Sequence, residues 1–275
     1  MGNDATLTCN TGNLQRVLEL TTRKQAVSGK MQEQVVACVL RGEGDSITTT
    51  SLVRDGCTSV ATFGCDGTGT ATIPIPDIAR LQGVLNAHGQ DLTIVQDGSK
   101  IRVKSGRKTT TLLADMGGLA FPHSTETVGE WEEKSRTLMG QVDPEGSYTL
   151  RDGSKREAFF SLLVDGSFLF EALRCDNING QRLNRYTFTM NEDAELTLTV
   201  GDELKGRTTT QFEMEDGLTS EAWETTVEGG LESILKHYSG DVWLHFLDFR
   251  PEGQGIRMVL NLGLGDYVFQ AAVIN

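Results

Sequence analysis

The sequence predicts an α+β chain of two like-built, sheet-rich domains. Each domain runs strand, helix, four strands, helix, three strands. Three observations predict this. Short runs rich in Thr, Val and Ile recur along the whole chain, separated by turn signals, and 31 Gly stand against 5 Pro. That punctuation belongs to many tight turns between strands. Only four segments keep a helical period. The order of elements in the first half returns in the second, although the residues do not, so both halves solve one packing problem. The predicted bounds are 1–114 for the first domain, 115–153 for a connector and 154–275 for the second domain.

In the first half, residues 5–9 form a short strand. A helix follows over 10–22, where Leu14, Val17 and Leu18 share one face and Gln15, Arg16, Glu19 and Arg23 another. Residues 35–40 are a compact apolar run. Residues 46–54, 58–63 and 70–75 have strand composition, with Arg54-Asp55-Gly56 as a turn. A second helix spans about 76–88, with Pro76 at its first position and Ile78, Leu81 and Leu85 on its apolar face. Strands at 91–95, 101–103 and 109–113 close the half, joined by turns at Asp97-Gly98 and Ser105-Gly106.

Residues 115–153 break the rhythm with Gly117-Gly118, Pro122, a charged segment and Pro144. This is a long connector with room for an extra strand or helical turn. Strands resume at 158–164, and a helix over 167–177 carries Leu169, Ala172 and Leu173. Strands at 186–190, 196–200, 208–214 and 221–226 come next. A helix at 231–238 turns Leu231, Ile234, Leu235 and Tyr238 to one side. Strands at 242–249, 256–262 and 267–274 end the sequence.

Composition narrows the function. The formal net charge is -13, which argues against a uniformly basic nucleic-acid binder but leaves room for basic residues gathered on one face. The five cysteines include no Cys-x-x-Cys pair, and residues 1–9 have neither a basic nor an apolar leader region. Reduced thiols in the cytoplasm are expected. No apolar run approaches membrane-helix length, so no membrane partner is expected.

Catalytic patterns are missing. His88, His123, His237 and His245 stand in no metal-ligand spacing. There is no phosphate loop of Walker type and no nucleophile elbow. Residues 64–69 are Gly-rich, but they lie between strands rather than between strand and helix, so a hairpin turn is expected there. No catalytic residue, metal or cofactor is predicted, and the chain is expected not to be an enzyme.

The residues that carry a resemblance lie in 73–122. Ile75-Pro76-Asp77-Ile78-Ala79-Arg80-Leu81 opens a helix, and Asp91-Leu92-Thr93-Ile94-Val95 follows. Next come Ile101-Arg102-Val103-Lys104-Ser105-Gly106-Arg107 and then Phe121-Pro122. This series resembles one repeat of the bacterial DNA sliding clamps. The C-terminal segment 242–275 is similar instead to proliferating cell nuclear antigen and viral clamps, without the Pro and the basic residue of their terminal tail. The resemblance implies the clamp fold, with helices on the inner face and sheets outside. It also implies a ring of six domains, here a homotrimer of viral or archaeal type rather than the three-domain dimer of bacteria.

The resemblance further implies a processivity factor. It would encircle duplex DNA without regard to sequence and hold a DNA polymerase, delivered by a clamp loader, at replication forks in a prokaryotic cell or a virus-infected host. The inner wall would carry Arg16, Arg23, Lys24, Arg80, Arg174 and Lys236, as phosphates demand. Short partner peptides would dock at Val39, Leu40, Leu119, Phe121 and a tail of Ala271, Ala272, Val273 and Ile274. The ring joint would pair Thr109, Thr110, Thr111, Leu112 and Leu113 with Thr208, Thr209, Thr210, Gln211 and Phe212 of the next subunit. Two alternatives are a monomeric polymerase accessory subunit of the same fold and a β-rich virion protein.

Overall fold

The structure is a computed structural model. It describes residues 5–21, 24–27, 30–33, 37–52, 57–114, 129–130, 132–133, 145–149, 153–174, 185–202, 206–214, 221–228, 231, 235–236, 238–252, 255–263 and 267–273. The first half comprises β1 (Ala5–Asn10), α1 (Thr11–Thr21), β2 (Lys24–Val27), β3 (Lys30–Glu33), β4 (Ala37–Leu52), β5 (Cys57–Ile75), α2 (Ile78–Leu85), β6 (Asp91–Asp97), β7 (Lys100–Ser105) and β8 (Lys108–Leu113). A hairpin of β9 (Ser147–Thr149) and β10 (Lys155–Glu157) precedes the second half. That half holds β11 (Phe160–Asp165), α3 (Gly166–Arg174), β12 (Arg185–Met190), β13 (Leu196–Asp202), β14 (Gly206–Gln211), β15 (Trp223–Glu228), β16 (Asp241–Asp248), β17 (Ile256–Gly263) and β18 (Tyr267–Val273).

The helices α1, α2 and α3 each start where a side-chain oxygen can satisfy their first free amides. Asn10 accepts from Gly12 N at 2.8 Å, Asp77 from Arg80 N at 2.8 Å and Asp165 from Phe168 N at 2.8 Å. Pro76 therefore lies before the helix, not at its first position, because Asp77 is the capping residue. The helices are short, and a helix of such length is marginal alone. Packing holds them. Leu14, Val17 and Leu18 of α1, Ile78, Leu81 and Leu85 of α2, and Leu169, Ala172 and Leu173 of α3 all enter the main core. A fully buried Leu or Ile contributes about 1.5–3 kcal/mol.

The sheets run β1-β6-β7-β8, β14-β13-β12-β15 and β11-β16-β17-β18-β5-β4, all antiparallel in the pairings described. The six-stranded sheet joins the halves: β18 of the second half pairs with β5 of the first, from Tyr267↔Phe63 to Val273↔Cys57. Asp97-Gly98 and Ser105-Gly106 turn as expected, with Gly98 at φ 58° and Gly106 at φ 56°, the left-handed region that favours glycine.

Three expectations change. The strands expected at 35–40, 46–54, 58–63 and 70–75 merge into the long β4 and β5. The Gly-rich 64–69 segment is not a hairpin turn: it lies inside β5, where the partner register jumps from Ser46↔Gly64 to Gly44↔Gly69. The extra residues bulge out of the ladder there. The strand expected at 158–164 begins at Phe160, because residues 155–157 belong to the connector hairpin with β9. The turn at residues 54–56 lies outside the described residues. At the fourth expected helix, Leu231 and Leu235 are helical and buried.

Candidate nucleic-acid and partner interface

Arg16, Arg80 and Arg174 lie opposite the apolar stripes of α1, α2 and α3. Arg80 and Arg174 are exposed, Arg16 is half-buried, and Lys236 is exposed just after Leu235. Gln15 Nε2 donates to Asn86 Oδ1 at 2.7 Å, which ties α1 to the end of α2. Arg16 and Arg174 face Glu19 at 3.9 Å and Glu171 at 3.2 Å, each one helical turn away. Such exposed pairs are weak and screened by salt, so a phosphate can compete for both guanidinium groups. Lys24 lies in β2. Arg23 is outside the described residues.

The partner-pocket residues do not all come together. Leu40 is wholly buried in the main core, so it faces away from any outer groove. Val39 points to the opposite face of β4, where it too is buried. Ala271, Ala272 and Val273 lie within the closing strand expected at 267–274. They pair with β17 on one side and with β5 on the other, inside the six-stranded sheet. Leu119, Phe121 and Ile274 lie outside the described residues.

The connector meets the sheet at two places that the sequence did not announce. The first is on β4, the strand of Val39. Glu132 is 1% exposed and accepts from Arg41 through both oxygens, with Nε to Oε1 at 3.2 Å and Nη2 to Oε2. Arg41 also faces Glu133 at 3.6 Å. The hydrogen bond to Glu132 holds the Arg41 guanidinium above its ordinary pKa. The second is Tyr148 of β9, which packs with Val60, Leu247 and Val259, residues drawn from both halves. Beside it Ser161 Oγ and His245 Nδ1 lie 2.8 Å apart, and Gly146, at φ 89°, leaves no room for a side chain against the His245 ring.

β8 and β14 each occupy one end of a four-stranded sheet, paired only with β7 and β13 among the described residues. Each offers an open edge. Leu113 of β8 is 61% exposed. A recess lined by Ile75, Pro76, Arg80, Ile101, Leu112 and Leu113 lies beside it. Leu112 and Phe212 face the core, so at an edge-to-edge joint they would offer backbone rather than side chain.

Chemistry is sparse. No group of three or more His, Cys, Asp or Glu placed to hold a metal occurs among the described residues. Burial pushes the Cys9 thiol up to about 12, helped by nearby Cys65, and raises Cys38 further. Neither thiol is a ready nucleophile. No described helix is long and apolar enough to cross a membrane.

Two like halves with inward-packed helices and a sheet shared across their junction define the DNA sliding-clamp fold. Solved clamps match the chain along its whole length. The beta subunit of DNA polymerase III from Thermotoga maritima superimposes with a TM-score of 0.62 at 14% identity, covering 100% of this chain and 66% of that one. The DNA polymerase sliding clamp from Caulobacter crescentus gives 0.64 at 15% identity over 100% and 66%. The DNA polymerase III beta chain from Streptococcus pneumoniae gives 0.67 at 11% identity over 100% and 65%. The chain thus spans about two thirds of the length of these proteins. No family model and no curated protein matches the sequence.

Proposed function

We propose that this chain is a sliding clamp: a processivity factor that encircles duplex DNA and tethers a polymerase. It works by binding and topology, without chemistry of its own. The observation that carries the reading is the internal duplication. Two like-built halves already share one continuous sheet at their junction, and each four-stranded sheet ends in an open strand. Repeating that junction between chains closes a ring of like domains. Two domains per chain make the six-domain ring a homotrimer.

In that ring Arg16, Arg80, Arg174 and Lys236, with Arg23 and Lys24, line the hole and meet phosphates without base readout. An overall acidic chain then keeps a locally basic channel. Polymerase and clamp loader dock by short peptides on the outer face, beside β4 where Arg41 and Glu132 hold the connector. The work is done in the cytoplasm, at replication forks.

Retention on DNA tests this. The protein, with a clamp loader and ATP, is placed on nicked circular DNA and passed through a sizing column. It should stay with the circle at high salt and leave once a restriction enzyme linearises the DNA. Equal retention on circular and linear DNA would mean ordinary surface binding, as a monomeric accessory subunit would give.

A further inference from the structure

The first half carries a second basic surface, on the face of its sheet turned away from α1 and α2. Residues 98–113 hold five cations, Lys100, Arg102, Lys104, Arg107 and Lys108, and no acid, in a chain whose formal net charge is -13. Side chains of β7 alternate between the two faces of the sheet. Ile101 and Val103 enter the same core as Leu14 and Ile78 of the helices. On the other face Lys100 and Lys104 are exposed and Arg102 is half-buried. These three stand in one column, about 6.8 Å apart and spanning roughly 14 Å. Arg107 is exposed at the turn that ends the column. Lys108 belongs to the core side, where its Nζ donates to Ala87 O at 2.8 Å.

Hydroxyls and acids divide to either side of the column. On β8, Thr109 lies opposite Lys104 and Thr111 opposite Arg102, and both threonines are exposed. On β6, Thr93 lies opposite Lys104, and the acids Asp91 and Asp97 stand at the two ends of the strand. Asp97 accepts Arg102 Nη2 at 2.7 Å. The strip over β7 and β8 therefore holds cations and hydroxyls without an acid. The fold does not demand such a strip. β17 has in the second half the place of β7 in the first, third in its sheet from the strand that leads into a capped helix. There the outward face is covered: Val259 is buried against Tyr148 of the connector hairpin, and Asn261 is buried too.

We propose that this strip binds the sugar-phosphate backbone of a single-stranded nucleic acid, on the opposite side of the sheet from Arg16 and Arg80. Lysine and arginine neutralise phosphates, and threonine hydroxyls donate to their oxygens. The column is straight and one cation wide. An extended single strand offers its phosphates one after another along such a line, whereas a duplex curves away from a flat sheet. An acidic peptide gains its hold from strand pairing or from side-chain pockets. β7 is already paired on both sides, and only Val95 and Leu113 are large and apolar on this face of the four strands. Those strands contain no aromatic residue. Bases have nothing there to stack on, so the binding is blind to sequence. The strip needs no ring closure and serves a monomer as well as a trimer.

Fluorescence anisotropy of the full chain with a labelled oligothymidylate tests this. Lys100→Gln, Arg102→Gln and Lys104→Gln together should weaken binding at least about tenfold at low salt, with far-UV circular dichroism unchanged. The slope of log Kd against log salt should fall by about 2, since each phosphate neutralised on a single strand adds about 0.7. A control variant removes three exposed cations elsewhere, with Lys155→Gln, Arg185→Gln and Arg207→Gln, and should keep the slope. An unchanged slope in the first variant, or an equal loss in the control, would overturn the proposal. Polyglutamate that displaces the oligothymidylate at equal charge concentration would assign the strip to an acidic protein instead. The first variant should also stay on nicked circular DNA as the unchanged chain does; its loss there would place these cations in the channel and sink the outer track. A failure of the ring reading shows in the retention of the unchanged chain and leaves the anisotropy result standing.

Discussion

Removing the Glu132 carboxylate tests how the connector is held. Glu132 is 1% exposed and takes both hydrogen bonds from Arg41, whose side chain is 24% exposed. Breaking a buried pair by deleting one partner costs about 3–5 kcal/mol, because the other charge stays desolvated. Arg41 is only partly desolvated, and it keeps Glu133 at 3.6 Å. Both facts lower the cost. Glu132→Ala should therefore destabilise the chain by about 2–3 kcal/mol in urea unfolding. Arg41→Ala should cost more, about 3–5 kcal/mol, because it leaves the 1%-exposed Glu132 carboxylate without the Arg41 guanidinium. The double variant should cost clearly less than the two single costs added, with a coupling of at least about 1 kcal/mol. A Glu132→Ala cost below about 0.5 kcal/mol, or strictly additive singles, would refute the claim that this pair pins the connector to β4.

Thr111→Pro places a residue without an amide hydrogen on the β8 edge. Subunit association should weaken at least about tenfold by light scattering, with far-UV circular dichroism unchanged. Reversing Arg16, Arg80, Arg174 and Lys236 to Glu should leave assembly intact, reduce the salt dependence of DNA binding and shorten products in a polymerase processivity assay. Burial raises the folded pKa of Cys38 above that of an unfolded thiol. Its stability contribution is complete below about pH 8.5 and fades as pH rises beyond that, by about 1.4 kcal/mol per pH unit. Urea unfolding from pH 8 to 10.5 should therefore show a shallower stability loss for Cys38→Ala than for the unchanged chain.

Most of the fold was legible because its signals are local. The stripes Leu14, Val17, Leu18 and Ile78, Leu81, Leu85 placed α1 and α2, and the turns at Gly98 and Gly106 fixed two hairpins. The exposure of Arg80, Arg174 and Lys236 followed from the same phase. Where the pattern has no phase, the reading failed. Ala37, Cys38, Val39 and Leu40 are all buried, so nothing in the run told which side chains face the main core; Cys38 and Leu40 do. The strand expected at 267–274 is there as Tyr267–Val273, but its place between β17 and β5 depends on residues about 200 positions away and leaves no local signal. The Arg41–Glu132 pair spans 91 positions and leaves no periodic trace. Its only sequence signal was an acidic run in the connector, which usually means a solvated surface.

The central claim is that two like halves per chain close into a ring. Electron microscopy of the purified protein at micromolar concentration, with light scattering on the same sample, tests it most directly. The account predicts three chains per particle and a ring of six like lobes around a hole wide enough for duplex DNA. Compact particles without a hole, or a monomer at every concentration reached, would contradict it.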